Sequence, residues 1–171
     1  MRYWKADIAF GGLCFLMTGV FRGELLYHME QYSLFPHSRE FFTECMEQPG
    51  GLLQYAGAFL TQFCHFPWLG ALLIAATLCL LAYLTRRALR LGEGSWALSY
   101  LPSLMMLLFI SRLDYSVFLM SSYGLLFSQT LGLSAAMALL LAFRKWIEGS
   151  KAEVCAAGLT AVVFYPLIGA Y

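Results

Sequence analysis

The sequence predicts an all-α fold: a polytopic helical membrane protein with about five transmembrane helices and two external amphipathic helices. Three observations predict it. Hydrophobic residues make up 60% of the 171 and charged residues only 12%, whereas a soluble domain carries about a quarter of its residues as Asp, Glu, Lys or Arg. Several uncharged runs approach the length of about 20 residues that a helix needs to cross an acyl core of about 30 Å. The Lys and Arg residues are also distributed unevenly among the segments that join these runs. The same composition disfavours a cytosolic enzyme, because a soluble surface needs more charge than this. A net charge of +1 without a long basic block disfavours a nucleic-acid binder.

The first span is expected at about residues 4–27. Its uncharged centre, Ile8 to Phe21, is short, and reaching membrane length takes in Asp7, Arg22 and Glu24. Arg2 and Lys5 look like the start of a signal peptide, but Thr18-Gly19-Val20 is a poor cleavage site, so the span is read as uncleaved. The polar segment 28–66 follows. Pro36-His37-Ser38 reads as a break and an N-cap. After it, Phe41, Phe42, Cys45 and Met46 fall on one helical face. Pro49-Gly50-Gly51 punctuates, and Leu52, Leu53, Ala56, Phe59, Leu60 and Phe63 then recur at helical spacing. These two short amphipathic helices are expected either to lie in the outer membrane interface or to dock on the spans.

The second span is expected at 67–85, where Trp68 to Leu84 carries no charge and stops at Arg86-Arg87. Residues 96 to 143 hold only two charges, Arg112 and Asp114. That is long enough for a hairpin of two spans, 96–111 and 117–143, with the charges at its tip. The longer arm must tilt, protrude or kink near Gly124 or Gly132. The fifth span is expected at 153–171, uncharged from Val154 to Tyr171.

Alternating these spans from a cytoplasmic N-terminus puts Arg2, Lys5, Arg86, Arg87, Arg90, Arg144, Lys145 and Lys151 inside, and Arg22, Arg39 and Arg112 outside. This obeys the positive-inside rule. Trp4, Trp68, Trp96 and Trp146 fall at span ends and are read as interface anchors, where an indole keeps its ring buried and its N–H wet.

Chemistry presented to solvent is expected in the polar segment. Glu24 and Glu30 are the candidate catalytic residues, since a carboxylate beside aromatics at a membrane surface can serve as acid or base; a solvated charge at a helix end is the plainer reading. His28, His37 and His65 lack metal-ligand spacing, and there is no HExxH or CxxC, so neither metal nor cofactor is expected. Cys45 and Cys64 either form a disulfide between the external helices or remain thiols. No GxSxG, phosphate-binding loop or GxGxxG occurs.

At Glu30-Gln31-Tyr32-Ser33-Leu34-Phe35, Pro49-Gly50-Gly51-Leu52-Leu53-Gln54-Tyr55, Phe59-Leu60-Thr61-Gln62-Phe63 and Pro67-Trp68-Leu69-Gly70-Ala71, the chain resembles an uncharacterised multi-spanning family of Bacteroides-like bacteria, classed as a domain of unknown function. The resemblance covers residues 1–171 and looks like the N-terminal part of such proteins, which implies further spans and domains beyond Tyr171. A more distant similarity is architectural, to membrane glycosyltransferases that use polyprenyl-phosphate sugars; it implies an acidic base soon after the first span, at the position of Glu24 or Glu30. The expected function is a non-catalytic anchor or scaffold in the bacterial inner membrane, with lipids as its partners. The alternatives are a lipid-linked glycosyltransferase-like enzyme with an extracytoplasmic site in residues 24–65, and a transport component.

Overall fold

A computed structural model describes residues 4–32, 35–92, 95–112 and 124–146. The described residues are helical and include no strand. In chain order they form α1 (Trp4–Gly19), α2 (Gly23–Tyr32), α3 (Arg39–Met46), α4 (Gly51–Thr61), a 3-10 turn (Gln62–His65), α5 (Pro67–Ala88), a second 3-10 turn (Trp96–Tyr100), α6 (Leu101–Arg112) and α7 (Leu125–Trp146). The expected fifth span, the hairpin tip at Asp114 and the start of the 117–143 arm lie outside the described residues, as do the side chains of Glu30, Arg112 and Trp146.

The stretch expected as one span over 4–27 is two helices. Gly19 and Gly23 flank the break at Val20–Arg22, and glycine is a poor helix former. Beyond the break the chain turns polar, and α2 lies across the first 3-10 turn and α5, burying Leu26 to 1% exposure. The two amphipathic helices expected in the polar segment form where the periodicity put them. Ser38 is the N-cap of α3, its hydroxyl accepting the Phe41 N–H at 3.2 Å. Gly50 adopts a left-handed φ of 83° at the head of α4. A Cβ on Gly51 would stand 1.8 Å from the Cys45 carbonyl oxygen, so the Pro-Gly-Gly turn lets α3 and α4 meet almost backbone to backbone.

The central element is α5, the one helix among the described residues that is long and apolar enough to cross a membrane. It packs against α1, α6 and α7. A Cβ on Gly19 would lie 3.1 Å from Ala71 Cβ, and one on Gly11 would lie 3.1 Å from Cys79 Sγ. Ascending α1 therefore means descending α5, and the two run antiparallel. Against α6, Ser103 donates to the Leu78 carbonyl at 2.9 Å, and Tyr100 meets Arg86, so this pair is antiparallel too. Pro102 stands near the start of α6. Its ring clashes with the carbonyl four residues back, which accounts for a 3-10 turn over Trp96–Tyr100 in place of a continuous α-helix. Gly124, at φ +72°, turns the chain into α7.

The shared core takes Phe10 and Cys14 from α1, Ile74 and Leu78 from α5, Leu107 from α6 and Phe127 from α7. A second, smaller cluster joins Phe41 and Cys45 of α3 to Ala58 of α4, with Phe35 and Tyr55 against it. Helix α4 also docks on α7. A Cβ on Gly57 would approach the Gly124 carbonyl to 2.6 Å, so the contact depends on two glycines. Small residues at such crossings let backbones approach closely.

Candidate functional site

The most polar constellation among the described residues lies where the N-terminal end of α1 meets the C-terminal end of α5. Asp7 is in the first turn of α1 and Arg86 in the last turn of α5, positions where an acid and a base respectively complement the helix dipoles. The antiparallel packing brings them together. Arg86 donates through both terminal nitrogens, Nη2 to Asp7 Oδ1 at 2.7 Å and Nη1 to Oδ2 at 3.2 Å. This is the bidentate geometry that makes arginine–carboxylate pairs strong and directional.

A third element joins them. The Tyr100 hydroxyl donates to Asp7 Oδ1 and accepts from Arg86 Nη2 at 3.0 Å. Arg86 Nε reaches Ser99 Oγ at 3.3 Å, and Ser99 in turn donates to the Trp96 carbonyl at 2.6 Å. The guanidinium carbon sits 5.4 Å from the Tyr100 ring centroid, within cation–π range. Phe10 packs against the same ring, tilted by 42°, at 4.8 Å between centroids. The Arg86 side chain is 15% exposed and that of Asp7 39%, so the group sits at the rim of the bundle and not at its centre. These contacts tie the start of α1, the end of α5 and the second 3-10 turn together, which makes the network a clasp for three chain segments.

At the opposite end Arg22, in the break between α1 and α2, donates to the Ser111 carbonyl in the last turn of α6. A cation there also complements the helix C-terminus.

The sequence-derived candidates are distributed differently. Glu24 is exposed in the first turn of α2, where a carboxylate complements the helix N-terminus. The Glu30 side chain lies outside the described residues. His28 and His65 are exposed, and the Tyr27 ring lies near both, at 6.2 and 6.1 Å between centroids; His37 meets Phe35 edge-on. Among the described residues no group of three or more His, Cys, Asp or Glu side chains is placed to hold a metal.

The Cys45–Cys64 disulfide weighed from the sequence is not formed. Both residues are buried thiols in separate clusters. Cys45 packs at the N-terminal end of α4 beside Gly51, whereas Cys64 packs beyond its C-terminal end beside Gly70, so the length of α4 separates them. Burial, and secondarily the neighbouring Glu44 carboxylate, push the Cys45 thiol pKa up.

Of the tryptophans, Trp4 and Trp68 are exposed at the starts of α1 and α5. Trp96 is half-buried and packs edge-on against Tyr100.

The clasp is not among the candidates read from the sequence, where Asp7 falls inside the expected first span and Arg86 just beyond the second. A signal for it does exist. A carboxylate at the edge of an apolar helix calls for a partner, and alternating the spans brings Arg86, Arg87 and Arg90 to the same end.

Fold and site together define a helical bundle built around one membrane-length helix and closed at one end by an ionic clasp. The chain belongs to a family of unknown function, DUF6057, which it matches over residues 2–171. No curated protein and no solved structure matches it.

Proposed function

We propose that this chain is a multi-pass domain of the bacterial cytoplasmic membrane, with its N-terminus in the cytoplasm and residues 28–66 outside, acting as an anchor or scaffold. The observation that carries the proposal is the sorting of interhelical contacts by end. Arg86, which the positive-inside pattern puts on the cytoplasmic side, shares one hydrogen-bond network with Asp7, near the start of the first span, and Tyr100, near the start of the third. Arg22 and Ser111, assigned to the outer edge, meet at the other end. An alternating path through the bilayer brings these ends together in this way.

Two further features support it. Ile8, Leu16, Leu72, Leu80, Met105 and Leu108 are between 46% and 63% exposed, a distribution natural to a surface solvated by acyl chains and costly in water. In addition, the clasp groups bind one another across three chain segments, a role in assembly of the bundle.

Reporter fusions test the topology. A cytoplasmic reporter should be active after Arg90, and an extracytoplasmic one after Asp114. The reverse pattern, or recovery of the chain in the soluble fraction, would refute the proposal.

A further inference from the structure

Helix α4 has two faces with different uses. Gly51, Gly57, Ala58 and Thr61 are buried, and this small-residue side meets α3 and α7. Leu52 and Phe59, seven residues apart, form a separate stripe along the helix, and Phe63, four residues further on, follows in the 3-10 turn. They are 46%, 43% and 38% exposed. Phe66, just beyond, is 65% exposed.

The rings are braced from behind. Phe63 packs against Phe59 at 5.6 Å, Phe59 against Phe35 at 5.9 Å, and Phe35 against Tyr55 at 4.9 Å. The ridge is therefore a fixed aromatic edge, continuous with the α3–α4 cluster.

Covalent continuity sets its depth. Phe66 is the N-cap of α5, and 22 residues of α-helix rise about 33 Å, matching an acyl core of about 30 Å. If α5 crosses the bilayer, its first residues lie at one headgroup boundary. Phe63, Phe66 and the exposed Trp68 are held there with it, and Phe59 lies one turn away. Aromatic side chains favour that level. The neighbouring polar face of α3 carries Glu40, Glu44 and Glu47 against Arg39, so attraction to anionic lipid cannot supply the contact.

We infer that Phe59, Phe63 and Phe66 form a lipid-contacting shelf in the outer leaflet, whose ligand is the glycerol-proximal part of phospholipid acyl chains, without preference for anionic headgroups. The shelf rests on α5 crossing the bilayer, and one experiment separates the two claims. The full chain is reconstituted in phosphatidylcholine vesicles containing a phosphatidylcholine with a photoactivatable diazirine, placed either near the glycerol or at the acyl terminus. Adducts are mapped by mass spectrometry. The shallow probe should label residues 59–68 and the deep probe the middle of α5, around Leu72–Leu80. Shallow labelling should fall several-fold in Phe59→Gln/Phe63→Gln while deep labelling of α5 persists, the latter confirming that the variant is folded and inserted. It should be unchanged when phosphatidylglycerol is added. Deep labelling of α5 without shallow labelling of 59–68 overturns the shelf alone, as does cross-linking of 59–68 to a second copy of the chain in place of lipid. Absence of deep labelling on α5 overturns the membrane proposal itself.

Discussion

Asp7 and Arg86, separated by 79 residues of sequence, face each other as a bidentate ion pair with contacts of 2.7 and 3.2 Å. Each lies at the helix end whose dipole favours its charge. Removing Asp7 deprives Arg86 of its charged partner, although its hydrogen bonds to Tyr100 and Ser99 can remain. Because the Asp7 side chain is 39% exposed, water offsets part of that loss, and Asp7→Asn is expected to cost about 1–3 kcal/mol. The double variant Asp7→Asn/Arg86→Gln should lose less than the sum of the two singles, because contacting residues do not add. Thermal unfolding in detergent micelles measures both, and strict additivity would show that the pair is not coupled.

Tyr100 allows a narrower substitution. Tyr100→Phe keeps the ring against Phe10 and over the guanidinium but deletes the hydroxyl that bridges Asp7 and Arg86. The expected loss is about 1 kcal/mol, one hydrogen bond to charged partners less the packing that remains. A loss in Asp7→Asn/Tyr100→Phe no larger than in Asp7→Asn would place the hydroxyl's role with the carboxylate, and the same micellar unfolding measurement decides it.

The glycines divide by what surrounds them. At Gly57 a Cβ would stand 2.6 Å from the Gly124 carbonyl oxygen and 2.9 Å from the Ser128 nitrogen. Both obstacles are backbone, so Gly57→Ala must push α4 off α7, at about 1–3 kcal/mol. At Gly12 nothing lies within 4 Å, and Gly12→Ala should be neutral or stabilise by up to about 1 kcal/mol through helix propensity. Paired melting curves of these two variants should therefore move in opposite directions or differ by several degrees.

What the sequence revealed follows from the range of the forces involved. Ser38 and Pro49-Gly50-Gly51 act on their immediate neighbours, and the cap and turn formed where their chemistry predicted. The helical repeat after Gly51 was equally legible, but not the choice of face. Apolar periodicity favoured Leu52, Leu53, Ala56, Phe59, Leu60 and Phe63; of these Leu60 packs on the core while Leu52, Phe59 and Phe63 stay exposed, and the closest docking uses Gly57, Ala58 and Thr61, because close approach rewards small side chains over larger apolar ones. The 4–27 run read as one helix because hydropathy spans Val20–Arg22; the break there follows from α2 burying Leu26 on another part of the chain. The clasp required knowing that α1 and α5 are antiparallel neighbours, and nothing local to Asp7 or Arg86 states that.

Ser38 supplies a prediction at the opposite scale. Its hydroxyl accepts from Phe41 N at 3.2 Å, and α3 is only eight residues long, so few other hydrogen bonds hold it. Ser38→Ala should cost about 1 kcal/mol, expressed as faster amide exchange over Arg39–Met46 while α5 is unaffected. Equal acceleration throughout the chain would mean that α3 does not open independently.

Cys45 gives the pH dependence. Burial among Phe41 and Ala58 raises its thiol pKa, with Glu44 adding to the effect. The folded chain thus holds this proton to higher pH than the unfolded chain, whose thiol titrates near about 8.5. The contribution to stability is complete below that value and is lost as pH rises through the folded-state pKa, because only the unfolded chain ionises freely in that window. Cys45→Ala removes the group and with it that share of the alkaline decline. Melting temperatures at neutral pH and about pH 9.5 should therefore fall further for the wild type than for the variant. An identical fall in both would show that the thiol ionises as readily in the folded chain as in the unfolded one.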